Sequence, residues 1–444
     1  MTRGLVIASP HSGSGKTTLT LALLRALKRR GQRVASAKSG PDYIDPAFHA
    51  AASGAPCLNL DTWAMRPALL DSLVRQLARA GELILCEGAM GLFDGVGSTE
   101  TGSTAALAER LGWPVVLAVD AAGQGASVAA LLEGFSRHRA GVRVAGVIFN
   151  RVGSARHRAV LSAATRAALP ELEILGMVPR DPLLALPERH LGLVQAGEHG
   201  DLERFLERAG RVVGEACDLG ALLALAQPAR LADPSGSIAP LAPLGQRTAV
   251  ARDLAFSFAY RSVLEGWRAA GADLTFFSPL ADEAPGADAD AVYLPGGYPE
   301  LHAGRLAANQ RFLEGLRTSA AGGAAIYGEC GGFMVLGQGL IDASGERHRM
   351  ARLLPVTTSF AAPALHLGYR DMRLACATPL GPAGARFRGH EFHYASLIET
   401  DGEPLFEVSD GAGAPLGTIG VVRGSVMGSF LHLIDRTELS ARNG

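Results

Sequence analysis

Short apolar runs and stretches of helical spacing alternate along the chain. Residues 5–8 form an apolar run, and after Lys16 the apolar positions Leu19, Leu23, Leu24 and Leu27 recur at helical spacing up to Gly31. Residues 34–38 read as a strand, 67–79 as a helix, 83–86 as a strand, 104–111 as a helix and 115–119 as a strand of near-continuous aliphatics. Residues 128–135 and 144–149 repeat the alternation, and 174–178 add one more strand. Strands apolar on both faces with helices between them predict a parallel, doubly wound sheet.

The texture changes at residues 216–245, where Ala, Leu, Pro and Gly dominate and Asp233, Pro234, Ser235, Gly236 and Ser237 fall in the middle. This stretch is expected to be a linker, although its first half has helical character. Strands then restart at 248–251, 274–277, 291–294 and 324–327, with a helix over 260–270. Residues 386–398 and 417–430 read as β-hairpins. The expected organisation is an α/β domain over residues 1–215, the linker over 216–245 and a second α/β domain over 246–444.

Composition narrows the function classes. The 48% hydrophobic content is enough for two sizeable cores and excludes a disordered chain. The 42 Lys and Arg are matched by 43 Asp and Glu, so no basic excess favours nucleic acid. Cys57, Cys86, Cys217, Cys330 and Cys376 are odd in number and form no CxxC pair, which argues against a disulfide framework or a zinc site. With no apolar run long enough to span a bilayer and no leader-like start, a cytoplasmic protein without a membrane partner is expected. Of the 42 basic residues only Lys16, Lys28 and Lys38 are lysine. A lysine kept against such a preference for arginine is a candidate for work that needs a compact ammonium. Lys28, beside Arg29 and Arg30, is read instead as compensating a helix end.

Gly13, Gly15, Lys16, Thr17 and Thr18 stand between a predicted strand and helix as a phosphate-binding loop, with Pro10 where the first glycine of the pattern belongs. Glycines let backbone N–H groups curl around phosphate oxygens, the lysine reaches the β- and γ-phosphates, and the threonine ligates Mg²⁺. Carboxylates follow the next two strands of this region: Asp42 and Asp45 after the second, Glu87 and Asp94 after the third. Open α/β sheets bind ligands at those strand ends. Glu87 resembles a Walker-B acid, and Asp42 or Asp45 could be a second Mg²⁺ ligand.

Cys330 lies in Gly328-Glu329-Cys330-Gly331-Gly332, a strand–turn–helix pattern that places a thiol on a nucleophile elbow. The helix start is expected to lower the thiol pKa. The Gly331 N–H is one oxyanion donor, and the turn 295–300, with Gly297, offers a second. A thiol needs a base. His390, His393 and His432 are candidates that spacing alone does not separate, and the first two also fit a polar sheet face.

Together these pieces resemble the cobyrinic acid a,c-diamide synthase family of corrinoid biosynthesis. The resemblance covers nearly the whole chain and rests on S-G-S-G-K-T-T at 12–18, G-P-D-Y-I-D-P at 40–46, E-G-A-M-G-L-F-D-G at 87–95, P-G-G-Y-P-E at 295–300 and G-E-C-G-G-F at 328–333. It implies a dethiobiotin-synthetase-like ATPase domain joined to a class I glutaminase domain of the triad-less type. It further implies Lys38 as a second phosphate-side lysine, Asn150 as an adenine contact, and His432 as the catalytic base. The position two residues after that base, where related enzymes carry Glu, is Ile434. The expected metal set is Thr17, Asp45 and Glu87, with the choice among Asp42, Asp45 and Asp94 left open by the sequence, and Asp42, Tyr43 and Ile44, in the family's signature loop, are expected to meet the macrocycle. The implied reaction uses ATP and glutamine, passes ammonia along an internal route to an acyl phosphate, and leaves room for a homodimer.

Two rivals fit part of this pattern. A cobyric acid synthase would share the architecture and amidate other side chains. A ParA-like ATPase switch with an inactive glutaminase-like domain would carry a lysine early in the phosphate loop, where this chain has His11 and Ser12.

Overall fold

The computed structural model describes residues 2–184, 188–189, 192–193, 195–198, 200–232 and 238–437. They fall into two compact units, one of residues 1–63 and 70–236, the other of residues 64–69 and 237–444.

In the first unit the parallel strands run in the order Cys57–Leu60, Val34–Ser39, Leu83–Glu87, Arg3–Ala8, Val115–Asp120, Val144–Val152 and Glu173–Pro179. Leu5, Val6 and Ile7 are fully buried, as expected of a central strand covered on both faces. The helix Lys16–Arg29 buries Leu19, Leu23, Leu24 and Leu27 and carries Lys28 and Arg29 in its last turn, where the helix dipole favours cations. Loops 9–15, 40–44 and 88–94 leave the carboxyl ends of three adjacent strands, so the phosphate loop and both acidic segments converge.

Several local features depart from the sequence reading. The helical character expected in the first half of the 216–245 stretch is present, but residues 217–230 also pack onto the first unit. Leu219–Leu225 is a helix capped by Asp218, with Leu219 and Leu222 buried, and Gln227–Pro228 pairs antiparallel with Arg3–Ala8. The middle of the expected linker, 233–237, lies outside the described residues. The helix Asp45–Ser53 and the strand Cys57–Leu60 were not expected. The strand is only four residues long and contains the polar Asn59, so it shows little period.

The second unit has a sheet in the order Asp273–Phe277, Arg247–Ala251, Ala291–Leu294, Ala325–Glu329, Val426–Ser429, Pro415–Arg423, Glu403–Asp410, His366–Leu374, Arg386–His393 and Leu431–Arg436. The first five strands are mutually parallel and the rest are antiparallel. Its core includes Phe256, Leu294, Phe312, Ile326 and Phe333. Residues 417–430 contain the expected hairpin, turning at Gly424 with φ 61°. Residues 386–398 do not form one: Arg386–His393 belongs to this sheet, whereas Ser396–Thr400 pairs with Val356–Ser359 in another. The segment 64–69 joins the second unit through Arg66, whose guanidinium grips the fully buried Asp435 carboxylate at 2.8–3.1 Å.

Candidate active sites

The phosphate loop of the first unit opens at Gly13 and Gly15, both at φ 81°. A Cβ on Gly15 would overlap the Asn150 amide. That amide donates to the Ser14 carbonyl at 3.1 Å and accepts from the Arg151 N–H at 3.0 Å, so Asn150 buttresses the loop. Lys16 donates to the Met90 carbonyl at 2.9 Å. Burial, then the Lys38 charge, pushes its ammonium down to about 8. Thr18 follows in the first helical turn, half-buried.

Beside the loop, Lys38 donates to Asp45 at 2.6 Å and to Glu87 Oε1 at 2.8 Å, and the Thr17 hydroxyl donates to the same Glu87 oxygen at 2.6 Å. His49 Nε2 meets the other Glu87 oxygen at 2.7 Å. Burial alone would raise the Glu87 carboxyl, but Lys38 and His49 outweigh it and hold the group well below the usual carboxylate range. Burial and the neighbouring Asp42 push Asp45 up to about 6. Thr17, Asp45 and Glu87 present oxygen donors, the ligand type Mg²⁺ takes, and the cation on which Asp45 and Glu87 close here is the Lys38 ammonium.

The other acidic candidates do different work. One Asp42 oxygen accepts from the N–H groups of Ile44 and Asp45 and starts the helix Asp45–Ser53. Asp94 accepts from the Gly91 N–H and shapes its loop. Tyr43 and Ile44, expected against a macrocycle, are 8% and 6% exposed. Their apolar groups follow the Asp42 turn inward, so in this conformation they are core residues. His49 escaped the sequence reading. The only signal was its position four residues after Asp45, on the same helix face.

In the second unit, the strand Ala325–Glu329 turns at Cys330 into the short helix Gly331–Leu336. Cys330 has φ 46° and ψ −104°, a strained conformation that marks the elbow. Backbones crowd it. A Cβ on Gly332 would overlap the Leu294 carbonyl, and one on Gly297 would overlap the Ala255 carbonyl. One on Gly331 would stand 3.0 Å from the Gly297 nitrogen, so the two expected oxyanion donors are neighbours.

His432 comes to the same place. A Cβ on Gly296 would overlap His432 Cε1 and lie 3.1 Å from its Nε2 and 3.3 Å from Cys330 Cβ. Burial, reinforced by His390 and His393, pushes His432 down to about 3, so it is the neutral imidazole a proton acceptor needs. Burial, together with the Glu300 charge, pushes the Cys330 thiol up, and the Gly331 N–H offsets this only in part. The expected lowering is therefore corrected: a six-residue helix has a weak dipole, and an enclosed thiolate loses more in desolvation than it gains. His390 and His393 are 8% and 4% exposed and sit beside His432, so they are not a solvated sheet face. His393 is stacked between His366 and Phe430 and meets Glu391 at 2.9 Å, and Arg370 holds the other Glu391 oxygen at 2.7 Å. None of the sequence signals singled out Glu329, Glu391 or Arg370.

Residues 5–194 match the model of the CobQ/CobB/MinD/ParA nucleotide binding domain, and residues 247–438 match that of the CobB/CobQ-like glutamine amidotransferase domain. The chain is 55% identical over 441 residues to a hydrogenobyrinate a,c-diamide synthase of Rhizobium meliloti (strain 1021), covering 98% of this chain and 100% of that protein. It belongs to the cobyrinic and hydrogenobyrinic acid a,c-diamide synthase family. Proteins of the same name from Brucella suis biovar 1 (strain 1330) and Mesorhizobium japonicum (strain LMG 29417) are 55% and 52% identical, each over 98% of this chain and 98% and 99% of their own lengths. Both halves of the family's machinery, the nucleotide-binding and the glutamine amidotransferase parts, are thus in one chain, which is a glutamine-dependent amidating ligase. Among the described residues no helix is long and apolar enough to cross a membrane.

Proposed function

We propose that the protein amidates the a and c carboxylates of hydrogenobyrinic acid or its cobalt-bearing counterpart, cobyrinic acid, using ATP and glutamine. The name of the relatives favours the cobalt-free macrocycle. The observation that carries the reading is the Cys330 elbow with His432 beside it, in a chain whose other unit gathers Lys16, Lys38, Thr17, Asp45 and Glu87 at one set of strand ends.

In the glutaminase unit, Cys330 attacks the glutamine side-chain amide while His432 takes the thiol proton. The N–H groups of Gly297 and Gly331 hold the oxyanion, the tetrahedral adduct collapses to a thioester as ammonia leaves with the proton from His432, and water then hydrolyses the thioester to release glutamate and restore the thiol. In the nucleotide unit the N–H groups of the 13–17 loop cradle the phosphates. Thr17, Asp45 and Glu87 would hold Mg²⁺, which when bound neutralises phosphate charge. A substrate carboxylate attacks the γ-phosphate, Lys16 and Lys38 hold the transferring charge, and ammonia then displaces phosphate from the acyl phosphate. Cytoplasmic action fits this use of ATP.

Cys330→Ala tests the division of labour. Glutamine-dependent synthesis is expected to vanish while synthesis from added ammonium persists. Full glutamine-dependent activity in that variant would overturn the reading. Mass spectrometry of the product from each macrocycle names the substrate, which gains two amides.

A further inference from the structure

The family pattern leaves the catalytic histidine without an orienting carboxylate on its own strand, because Ile434 occupies that position. The structure brings one from elsewhere. Glu329, the residue before the nucleophile, is 2% exposed. Its Oε1 accepts from the Leu433 N–H at 3.0 Å, the peptide directly after His432, and its Oε2 accepts from the Tyr293 hydroxyl at 2.7 Å. Oε2 also lies 3.8 Å from His432 Nδ1.

The two edges of the imidazole face different partners. The Cε1–Nε2 edge lies against Gly296 and Cys330, and Nδ1 faces Glu329. We propose that Glu329 is the positioning residue for His432, fixing the ring so that Nε2 addresses Cys330 and balancing the charge the ring acquires in the reaction. This rests on the roles proposed above for Cys330 and His432.

As the sulfur–carbon bond to the glutamine amide forms, the thiol proton passes to Nε2 and the ring becomes a cation between Cys330 and Glu329. The same proton then leaves with the departing ammonia, and the ring is neutral again. A buried cation of this kind is costly without an opposite charge nearby. The 3.8 Å separation is longer than a hydrogen bond, so this role requires Nδ1 and Oε2 to close to hydrogen-bond distance when glutamine binds, as catalytic contacts in free enzymes often do. The Leu433 bond already fixes the backbone at the histidine, so the approach needs only a small motion of the side chains.

Glu329 faces Tyr293 on Ala291–Leu294, Tyr327 on its own strand and His432 on Leu431–Arg436. His432 faces His390, Glu391 and His393 on Arg386–His393, with the Tyr260 ring 6.5 Å away. Burial pushes the Glu329 carboxyl up to about 7 against the pull of Tyr293, the Leu433 N–H and Tyr327. The carboxylate therefore gains its charge as pH rises through neutrality.

The test uses the full-length enzyme and compares Glu329→Gln and Glu329→Asp with the parent in glutamine hydrolysis and in synthesis from ammonium. Glu329→Gln is expected to lower kcat for glutamine about 100-fold, with KM changed less than about 3-fold and ammonium-dependent synthesis retained. The parent's kcat is expected to rise through about pH 7, and that limb should be missing in Glu329→Gln. Glu329→Asp, which keeps the charge with shorter reach, should lose less of kcat and retain the limb. It decides the question alone should the glutamine variant not fold. Parental kcat and an unchanged pH limb in Glu329→Gln, or loss of the limb in Glu329→Asp, would overturn the proposal. Glutamine hydrolysis surviving Cys330→Ala would instead refute the nucleophile itself, and with it the reading on which this proposal rests.

Discussion

Lys38 is 4% exposed and sits where Asp45 and Glu87 meet, at 2.6 and 2.8 Å. A planar guanidinium needs more room and a different fan of acceptors than a point-like ammonium. Lys38→Arg is therefore expected to lower ammonium-dependent, ATP-driven synthesis at least about 100-fold while glutamine hydrolysis by isolated Cys330 chemistry is retained. Measuring the two rates side by side checks this, and equal rates in parent and variant would show that only charge matters there. The scarcity of lysine made this residue visible in the sequence, as the loop pattern did for Lys16 and Thr17 and the flanking glycines did for Cys330. His49 and Glu329 were not visible. Each acts through a partner distant in sequence, Glu87 for one and His432 for the other, and no local period encodes such a meeting. Asp42 was visible as an acid, but its use as a helix starter depends on where the Ile44 and Asp45 N–H groups point.

At the scale of elements, glycines decide the elbow. Gly332 runs so close to the Leu294 carbonyl that a methyl group has no space, and Gly332→Ala is expected to destabilise the second unit by about 1–3 kcal/mol. Thermal unfolding measures it, and an unchanged Tm would show that the helix Gly331–Leu336 shifts freely. A second element-level contact joins distant parts of the chain: the segment around Arg66 holds the Leu431–Arg436 strand, which also carries His432, through Asp435. Arg66→Ala would leave a buried carboxylate without its cationic partner, though the backbone N–H at position 66 still reaches it, a loss of about 3–5 kcal/mol. Asp435→Asn in that background should recover part of it, as read by denaturant unfolding. Apart from the short strand Cys57–Leu60, the parallel strands of the first unit were legible because both faces are apolar, and the antiparallel half of the second was less so. Arg386–His393 and Ser396–Thr400 look like a hairpin by composition, yet they enter different sheets because the chain turns at Tyr394 and Ala395 between them.

At the scale of the molecule, one chain holds a nucleotide site and a thiol site, each built on its own α/β unit. Apolar periodicity and strand-end motifs announced both units. The boundary was harder to read, because the helix Leu219–Leu225 and the strand Gln227–Pro228 look like linker by composition, and Ala64–Leu69 belongs with a unit far along the sequence. Across the whole reaction, nitrogen freed at Cys330 is to end in a carboxyl group activated by ATP. The most direct test of this transfer follows two labels in one reaction: ¹⁵N in the glutamine amide and ¹⁸O in the carboxylates of the macrocycle. The expected product carries ¹⁵N at both new amides, and the phosphate released carries one ¹⁸O for each amide formed. Amides free of ¹⁵N, or phosphate free of ¹⁸O, would contradict it.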